Sequence, residues 1–163
     1  MDLQGKNVVV TGAGRGIGEA LAREFNARGA RVAVADLRGA DAVAASLDGA
    51  IAFTADVSTE AGNKAIVEGA IEAMGHVDLF FANAGVGNGS DVLATPEDDW
   101  ELAMNVNVHA HRWAARYLLP DWLERGDGYL PHPEVAGYMQ MKAARPDRWL
   151  GGMRKLQRTV RGG

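Results

Sequence analysis

The residues with the clearest chemical purpose lie near the start of the chain. They form the stretch Val8-Val9-Val10-Thr11-Gly12-Ala13-Gly14-Arg15-Gly16-Ile17-Gly18. Gly12, Gly16 and Gly18 fit the pattern T-G-x-x-x-G-x-G. The pattern G-x-G-x-x-G is not met, because Ile17 occupies its last position. Glycines between a β-branched run and a helical pattern let a phosphate approach the backbone with no Cβ in the way. The first free N–H groups of the helix, and its dipole, then favour negative charge. The stretch reads as a diphosphate-binding turn; a turn that uses glycine for geometry alone is the other reading. Asp36 follows Gly18 by eighteen positions. A carboxylate there can accept from both hydroxyls of an adenine ribose and would repel a 2′-phosphate, which favours NAD over NADP. Arg15 and Arg38 point the other way, since either could meet a phosphate. Asp36 could also cap its own loop. Asp56 could accept from the adenine amine or fix a turn. Asn83-Ala84-Gly85 combines an amide able to tie loops together with small residues that leave room for a flat cofactor.

These residues need a scaffold, and the pattern supplies one. Residues 6–11 read as a buried strand and 16–28 as a helix with one apolar face, stopped by Gly29. A second strand, 31–36, ends in Asp36, and a small helix follows around 40–47. Residues 51–54 form a third strand. Ser58 is the expected N-cap of a helix over 59–74, which Gly75 ends. Residues 77–82 read as a central strand because they are almost wholly apolar. This alternation predicts a parallel sheet with right-handed crossovers and helices on both faces. Ligands on such sheets bind at the carboxyl ends of the strands, where the loops 12–18, 36–38, 56–58 and 83–90 converge. Thr95 is the expected cap, and Pro96 the first residue, of a long helix from about 97 to 125. Ala103, Val106, Ala110, Trp113 and Tyr117 mark its inner face. Tyr129-Leu130 could start a fifth strand, which Pro131 stops. Two short helical patterns follow, at about 134–144 and 147–159.

The whole-chain numbers narrow the function classes. The chain has 163 residues, 47% of them apolar, and a net charge of −4, which suits one globular domain with no general attraction to nucleic acid. No cysteine is present, so there is no disulfide, thiolate metal site or catalytic thiol, as fits a cytoplasmic protein. No signal-peptide pattern opens the chain, and no apolar run approaches the roughly 20 residues that span a bilayer. From Lys142 onward there are seven Lys/Arg and one acid, which reads as the solvated face of an amphipathic helix. His109 and His111 are two apart on a helix and face different ways, so no metal pair is expected. Glu97-Asp98-Asp99-Glu101 reads as an acidic helix N-terminus.

Taken together, TGAGRGIG, Asp36 after the second strand, Asp56-Val57, Asn83-Ala84-Gly85, and Trp100 followed seven residues later by Asn107 resemble the short-chain dehydrogenase/reductase family. The match runs in order over residues 5–130. It implies a Rossmann-like, doubly wound α/β sheet, here incomplete at four to five strands. A dinucleotide-binding domain would then span 1–130, with a helical C-terminal tail over 131–163. The resemblance also implies NAD(P)-dependent hydride transfer between a nicotinamide and a small alcohol or carbonyl, usually in a homo-oligomer. The implied cofactor contacts are Gly12, Arg15, Gly16, Ile17, Gly18, Asp36, Leu37, Asp56, Val57, Asn83, Ala84 and Gly85. By the same resemblance Asn107 is the helix asparagine that helps to hold a proton-relay water.

The family's chemistry further needs a tyrosine as acid or base, a lysine four residues later that lowers its pKa, and a serine about thirteen residues upstream. Tyr138 and Lys142 have the Y-x-x-x-K spacing, and four residues apart is one helix face. Position 125, however, is Arg125, and the serines are Ser46, Ser58 and Ser90. Tyr138 comes only 31 positions after Asn107. The segment from Pro131 resembles the C-terminal tail of some family members, in which such a pair is incidental. Two expectations therefore stand side by side. One is an active oxidoreductase with Tyr138 and Lys142 as its acid–base pair. The other is a dinucleotide-binding remnant without the segment that carries the catalytic serine, tyrosine and lysine.

Overall fold

The computed structural model describes residues 2–87 and 93–131. The predicted tail helices, with Tyr138 and Lys142, lie outside the described residues. The elements run β1 (Asn7–Thr11), α1 (Gly16–Ala27), β2 (Arg31–Asp36), α2 (Ala40–Ala45), β3 (Ile51–Thr54), α3 (Glu60–Met74), β4 (Leu79–Phe81), α4 (Glu97–Met104), a π-helical turn (Asn105–His109) and α5 (Ala110–Arg125). The four strands form one sheet in the order β3-β2-β1-β4, and every pairing is parallel. This is the α/β sheet expected from the alternating pattern.

Strand alternation divides the core between the two faces. Val9, Ala33 and Phe80 pack against Ile66, Val67 and Ala70 of α3 and Ala114 and Leu118 of α5. Val8, Val10, Val32, Val34, Leu79 and Phe81 pack against Ala22 and Phe25 of α1 and Val43 of α2. Each valine of β1 is wholly buried, because a helix layer covers both faces. Burial of one such side chain stabilises the fold by about 1.5–3 kcal/mol.

Several boundaries differ from the sequence reading. Thr59, not Ser58, caps α3, its hydroxyl accepting from the Gly62 N–H at 3.0 Å. The Ser58 N–H is instead taken by Asp56. Pro96 is the cap of α4 rather than its first residue, and its carbonyl accepts from the Trp100 N–H. Strand β4 is three residues long rather than six. The fifth strand is reduced to a single parallel bridge between Leu79 and Tyr129.

The helix expected over 97–125 contains a π turn, which adds one residue to the winding. Beyond the turn the buried seam therefore moves one position along. Val106 and Ala110 are buried as expected, but Ala114, Leu118 and Trp122 continue the seam. Trp113 and Tyr117 are left half-buried at its margin.

Candidate cofactor site

Four loops leave the carboxyl ends of the strands, and those after β1 and β4 lie directly on one another. Gly12 has φ +65°, and a Cβ there would stand 2.7 Å from the Ala84 Cα. A Cβ on Gly14 would meet the Arg38 carbonyl oxygen at 1.9 Å, and one on Gly18 would meet the Gly12 carbonyl oxygen at 2.1 Å. These three glycines are imposed by backbone packing. Gly16 is different: its φ is +62°, and a Cβ there would meet no atom within 4 Å. The open space in the turn thus lies over Gly16. The N-cap residue Arg15 is extended and makes no side-chain cap to α1. The first N–H groups of α1 are therefore left for an outside acceptor.

Asparagine and threonine side chains fasten the loops. Asn83 Nδ2 donates to the Thr11 and Gly12 carbonyls at 3.1 and 3.3 Å. The Ala84 N–H donates to Thr11 Oγ1 at 3.2 Å. Asn107, on the π turn, accepts from the Val86 N–H at 3.0 Å and donates to the Val86 carbonyl at 2.9 Å. Its amide grips both polar groups of one backbone residue in the loop after β4. Val86 carries no signal in the sequence, whereas Thr11 is the first residue of the T-G-x-x-x-G-x-G pattern.

Asp36 closes the other side. Its Oδ2 accepts from the Gly14 N–H at 2.9 Å and its Oδ1 from the Arg38 N–H at 3.1 Å. The loop-capping role is therefore real. It is compatible with ribose recognition, because each carboxylate oxygen keeps further acceptor capacity. Leu37 beside it is 58% exposed, and Arg15 and Arg38 are exposed. The Ala55 N–H donates to the Asp36 carbonyl at 3.2 Å, so the loop after β3 begins next to Asp36. In that loop Asp56 Oδ1 accepts from the Ser58 N–H at 2.8 Å, and Val57 is buried. The predicted residues from Gly12 to Gly85 and Asn107 therefore surround one end of the sheet.

The opposite end carries the main charge cluster. Asp78 is buried at the start of β4. It accepts from the Asn7 N–H at 2.9 Å, Lys6 Nζ at 3.2 Å and an Arg125 guanidinium nitrogen at 3.0 Å. Burial alone would raise the Asp78 carboxyl pKa. The Asn7 N–H and the Lys6 ammonium outweigh burial and hold it below the ordinary carboxylate range. Arg125 occupies the position thirteen residues before Tyr138, and it sits in this cluster at the amino ends of the strands. On the helix side, Glu60 accepts from Arg116 at 2.7 Å and from the Tyr117 hydroxyl at 2.9 Å. Arg116, and then Tyr117, lower the Glu60 pKa, while the same bond raises that of Tyr117. The His109 and Trp113 rings lie 5.7 Å apart. Among the described residues no group of three or more His, Cys, Asp or Glu could hold a metal ion. No described helix is long and apolar enough to cross a membrane.

The sequence and the fold are similar to those of known proteins. Residues 6–130 match the family model for short chain dehydrogenase. The chain is 38% identical over 128 residues to meso-2,3-butanediol dehydrogenase of Serratia marcescens, covering 76% of this chain and 51% of that protein. Among solved structures, it is similar to a 3-ketoacyl-(acyl-carrier-protein) reductase from Brucella melitensis complexed with NADH. That likeness has a TM-score of 0.73 and 37% identity, over 76% of this chain and 53% of the other. A short chain dehydrogenase/reductase from Burkholderia phymatum in complex with NAD gives a TM-score of 0.73 at 32% identity, over 80% and 49%. A blue fluorescent protein from a metagenomic library, in complex with NADPH, gives 0.69 at 33%, over 74% and 52%. The chain spans about half the length of the curated relatives it matches.

Proposed function

The chain belongs to the short-chain dehydrogenase family, and from that premise we propose that it binds NAD and serves hydride transfer between the nicotinamide and a small alcohol or carbonyl. The observation that carries the reading is the glycine turn. Packing dictates three of its glycines, while Gly16 leaves open space before an uncapped helix N-terminus. A diphosphate fits that space and the adjacent N–H groups. Asp36, with Leu37 beside it, would take the adenine ribose, which favours NAD over NADP. Asp56 and Val57 would edge the adenine. Asn83, Ala84 and Gly85 would line the path to the nicotinamide. When bound, the dinucleotide supplies the hydride donor or acceptor. Asn107 would shape the loop beside it through Val86 and support the proton-relay water. A dinucleotide-binding domain over 1–130, a cytoplasmic location and a homo-oligomer are parts of the same reading.

A second reading has a specific observation behind it. Arg125 stands where the catalytic serine is expected, and it is bound to Asp78 at the far end of the sheet. This favours a chain that binds the dinucleotide without turnover. Calorimetric titration with NADH and NADPH, followed by NADH oxidation over a carbonyl panel, tests both. NADH binding at least ~10-fold tighter than NADPH supports Asp36 as the selector. Turnover that Tyr138→Phe abolishes, with NADH binding retained, assigns Tyr138 and Lys142 as the acid–base pair. Turnover that survives this change removes them. Binding without any turnover leaves the second reading.

A further inference from the structure

The loop after β3 is held from behind by a residue outside every site motif. Asn63 lies at the end of the first turn of α3 and is 1% exposed. Its Nδ2 donates to the Val57 carbonyl at 2.8 Å and to the Thr59 carbonyl at 2.7 Å, engaging both N–H protons. Thr59 Oγ1 donates in turn to the Asp56 carbonyl at 3.0 Å. Gly62 brings the α3 backbone against the same residue, since a Cβ there would lie 1.9 Å from the Asp56 carbonyl oxygen. At its other end the loop is joined to Asp36 through the Ala55 N–H. Hydrogen bonds, together with the backbone between Asp56 and Ala55, therefore link buried Asn63 through Val57 and Thr59 to the backbone of Asp36.

The sequence makes Asn63 conspicuous only in retrospect. It precedes Ile66, Val67, Ala70 and Met74 on the buried face of α3, where an apolar side chain would pack as well. An apolar residue there would leave the Val57 and Thr59 carbonyls without these donors. Helix packing alone does not call for the amide; the shape of the loop does.

We propose that Asn63 is a positioning residue for the adenine end of the bound dinucleotide, fixing the backbone that carries Asp56 and Val57 beside Asp36. This rests on the dinucleotide-binding reading above. The test titrates the full chain with NADH, AMP and reduced nicotinamide mononucleotide, which lacks the adenosine. Asn63→Ala should weaken AMP and NADH about fivefold or more and leave the mononucleotide unchanged. Asn63→Ser keeps one hydroxyl donor and should recover part of the loss. It also carries the test if the alanine variant does not fold. Ile66→Val, a core change one turn further on, should lower the melting temperature without changing AMP affinity. In the unsubstituted chain, AMP should slow hydrogen exchange at residues 55–59. A folded Asn63 variant that binds AMP as the native chain does overturns the inference alone. A native chain that binds no NADH overturns the dinucleotide reading and the inference with it.

Discussion

Three glycine-to-alanine changes separate the packing of the turn from its use. In Gly18→Ala the new methyl stands 2.1 Å from the Gly12 carbonyl oxygen and 2.6 Å from Asn83 Nδ2. Carbon makes ordinary contacts at about 3.5 Å, so α1 and the turn must separate by roughly 1.4 Å. Neither neighbour is a free side-chain end: one is backbone, and the other is held by the Thr11 and Gly12 carbonyls. Overpacking of this kind costs about 1–3 kcal/mol and should loosen the Asn83 bonds as well. Gly16→Ala meets no atom, but φ +62° makes it a left-handed alanine, at about 1–2 kcal/mol. Its methyl would fill the space assigned to the diphosphate. Gly75→Ala is the control. It has φ +87° with ψ −38°, no atom within 4 Å and a place at the end of α3, so a stability loss at least as large is expected without any filling of the turn. Urea unfolding gives the stabilities, and NADH fluorescence titration gives the affinities. Gly16→Ala and Gly18→Ala should each weaken NADH about tenfold or more, and Gly75→Ala should not. Native NADH affinity in Gly16→Ala, or an equal loss in Gly75→Ala, would refute the assignment of the open space to phosphate.

Other expectations follow from single contacts. Asp78→Ala leaves the Asn7 N–H, Lys6 and Arg125 without their shared acceptor. It should cost about 3 kcal/mol by urea unfolding, the low end for a buried pair because Lys6 and Arg125 stay partly solvated. Because its folded-state pKa lies below the unfolded value, the stability Asp78 supplies is present above about pH 4 and is lost as pH falls through the folded pKa. Unfolding series from pH 6 to pH 2 should therefore show a shallower acid loss in Asp78→Ala. Asn107→Ala removes both bonds to Val86 and should speed hydrogen exchange at the Val86 amide while changing the melting temperature little, since Asn107 is exposed. Glu60→Gln weakens a solvent-exposed pair with Arg116, so its urea-unfolding midpoint should stay at the native value.

The fold was legible wherever one residue's own pattern decided the outcome. The apolar runs at Val8–Val10 and Val32–Val34 specify buried parallel strands, Gly29 stops α1 before the second of them, and Gly75 stops α3 before β4. Asp36 and Asn107 stand out in the sequence by their spacing from the glycine turn and from Trp100, and Asn83 by its place after the fourth strand. Legibility failed where the outcome depended on which nearby backbone groups a side chain engages or how a helix winds, neither of which apolar periodicity shows. The π turn over Asn105–His109 leaves no mark in apolar periodicity, and it shifted the seam from Trp113 and Tyr117 to Ala114 and Leu118. Ser58 and Thr59 are both good caps; Asp56 decides between them by taking the Ser58 N–H. Asn63 carries no motif signal, because its value lies in the Val57 and Thr59 carbonyls it serves.

The two ends of the sheet are built from different physics, and this makes their functions separable. At the amino ends, buried Asp78 gathers cations and backbone from β1, β4 and the end of α5, so perturbation there acts on stability and depends on pH. At the carboxyl ends neutral amides and a hydroxyl share the work with two carboxylates: Asn83 on the glycine turn, Asn107 on Val86, Asn63 on Val57 and Thr59, and Thr11 on Ala84, beside Asp36 on Gly14 and Asp56 on Ser58. The neutral tethers fix backbone without adding charge, which leaves Asp36, Asp56 and the N-terminus of α1 as the main contributors to the local field among the residues that hold these loops. A chain with its Asp78 cluster weakened should therefore lose melting temperature and retain its affinity for a nicotinamide dinucleotide. A chain with an asparagine tether cut should lose cofactor affinity out of proportion to its stability.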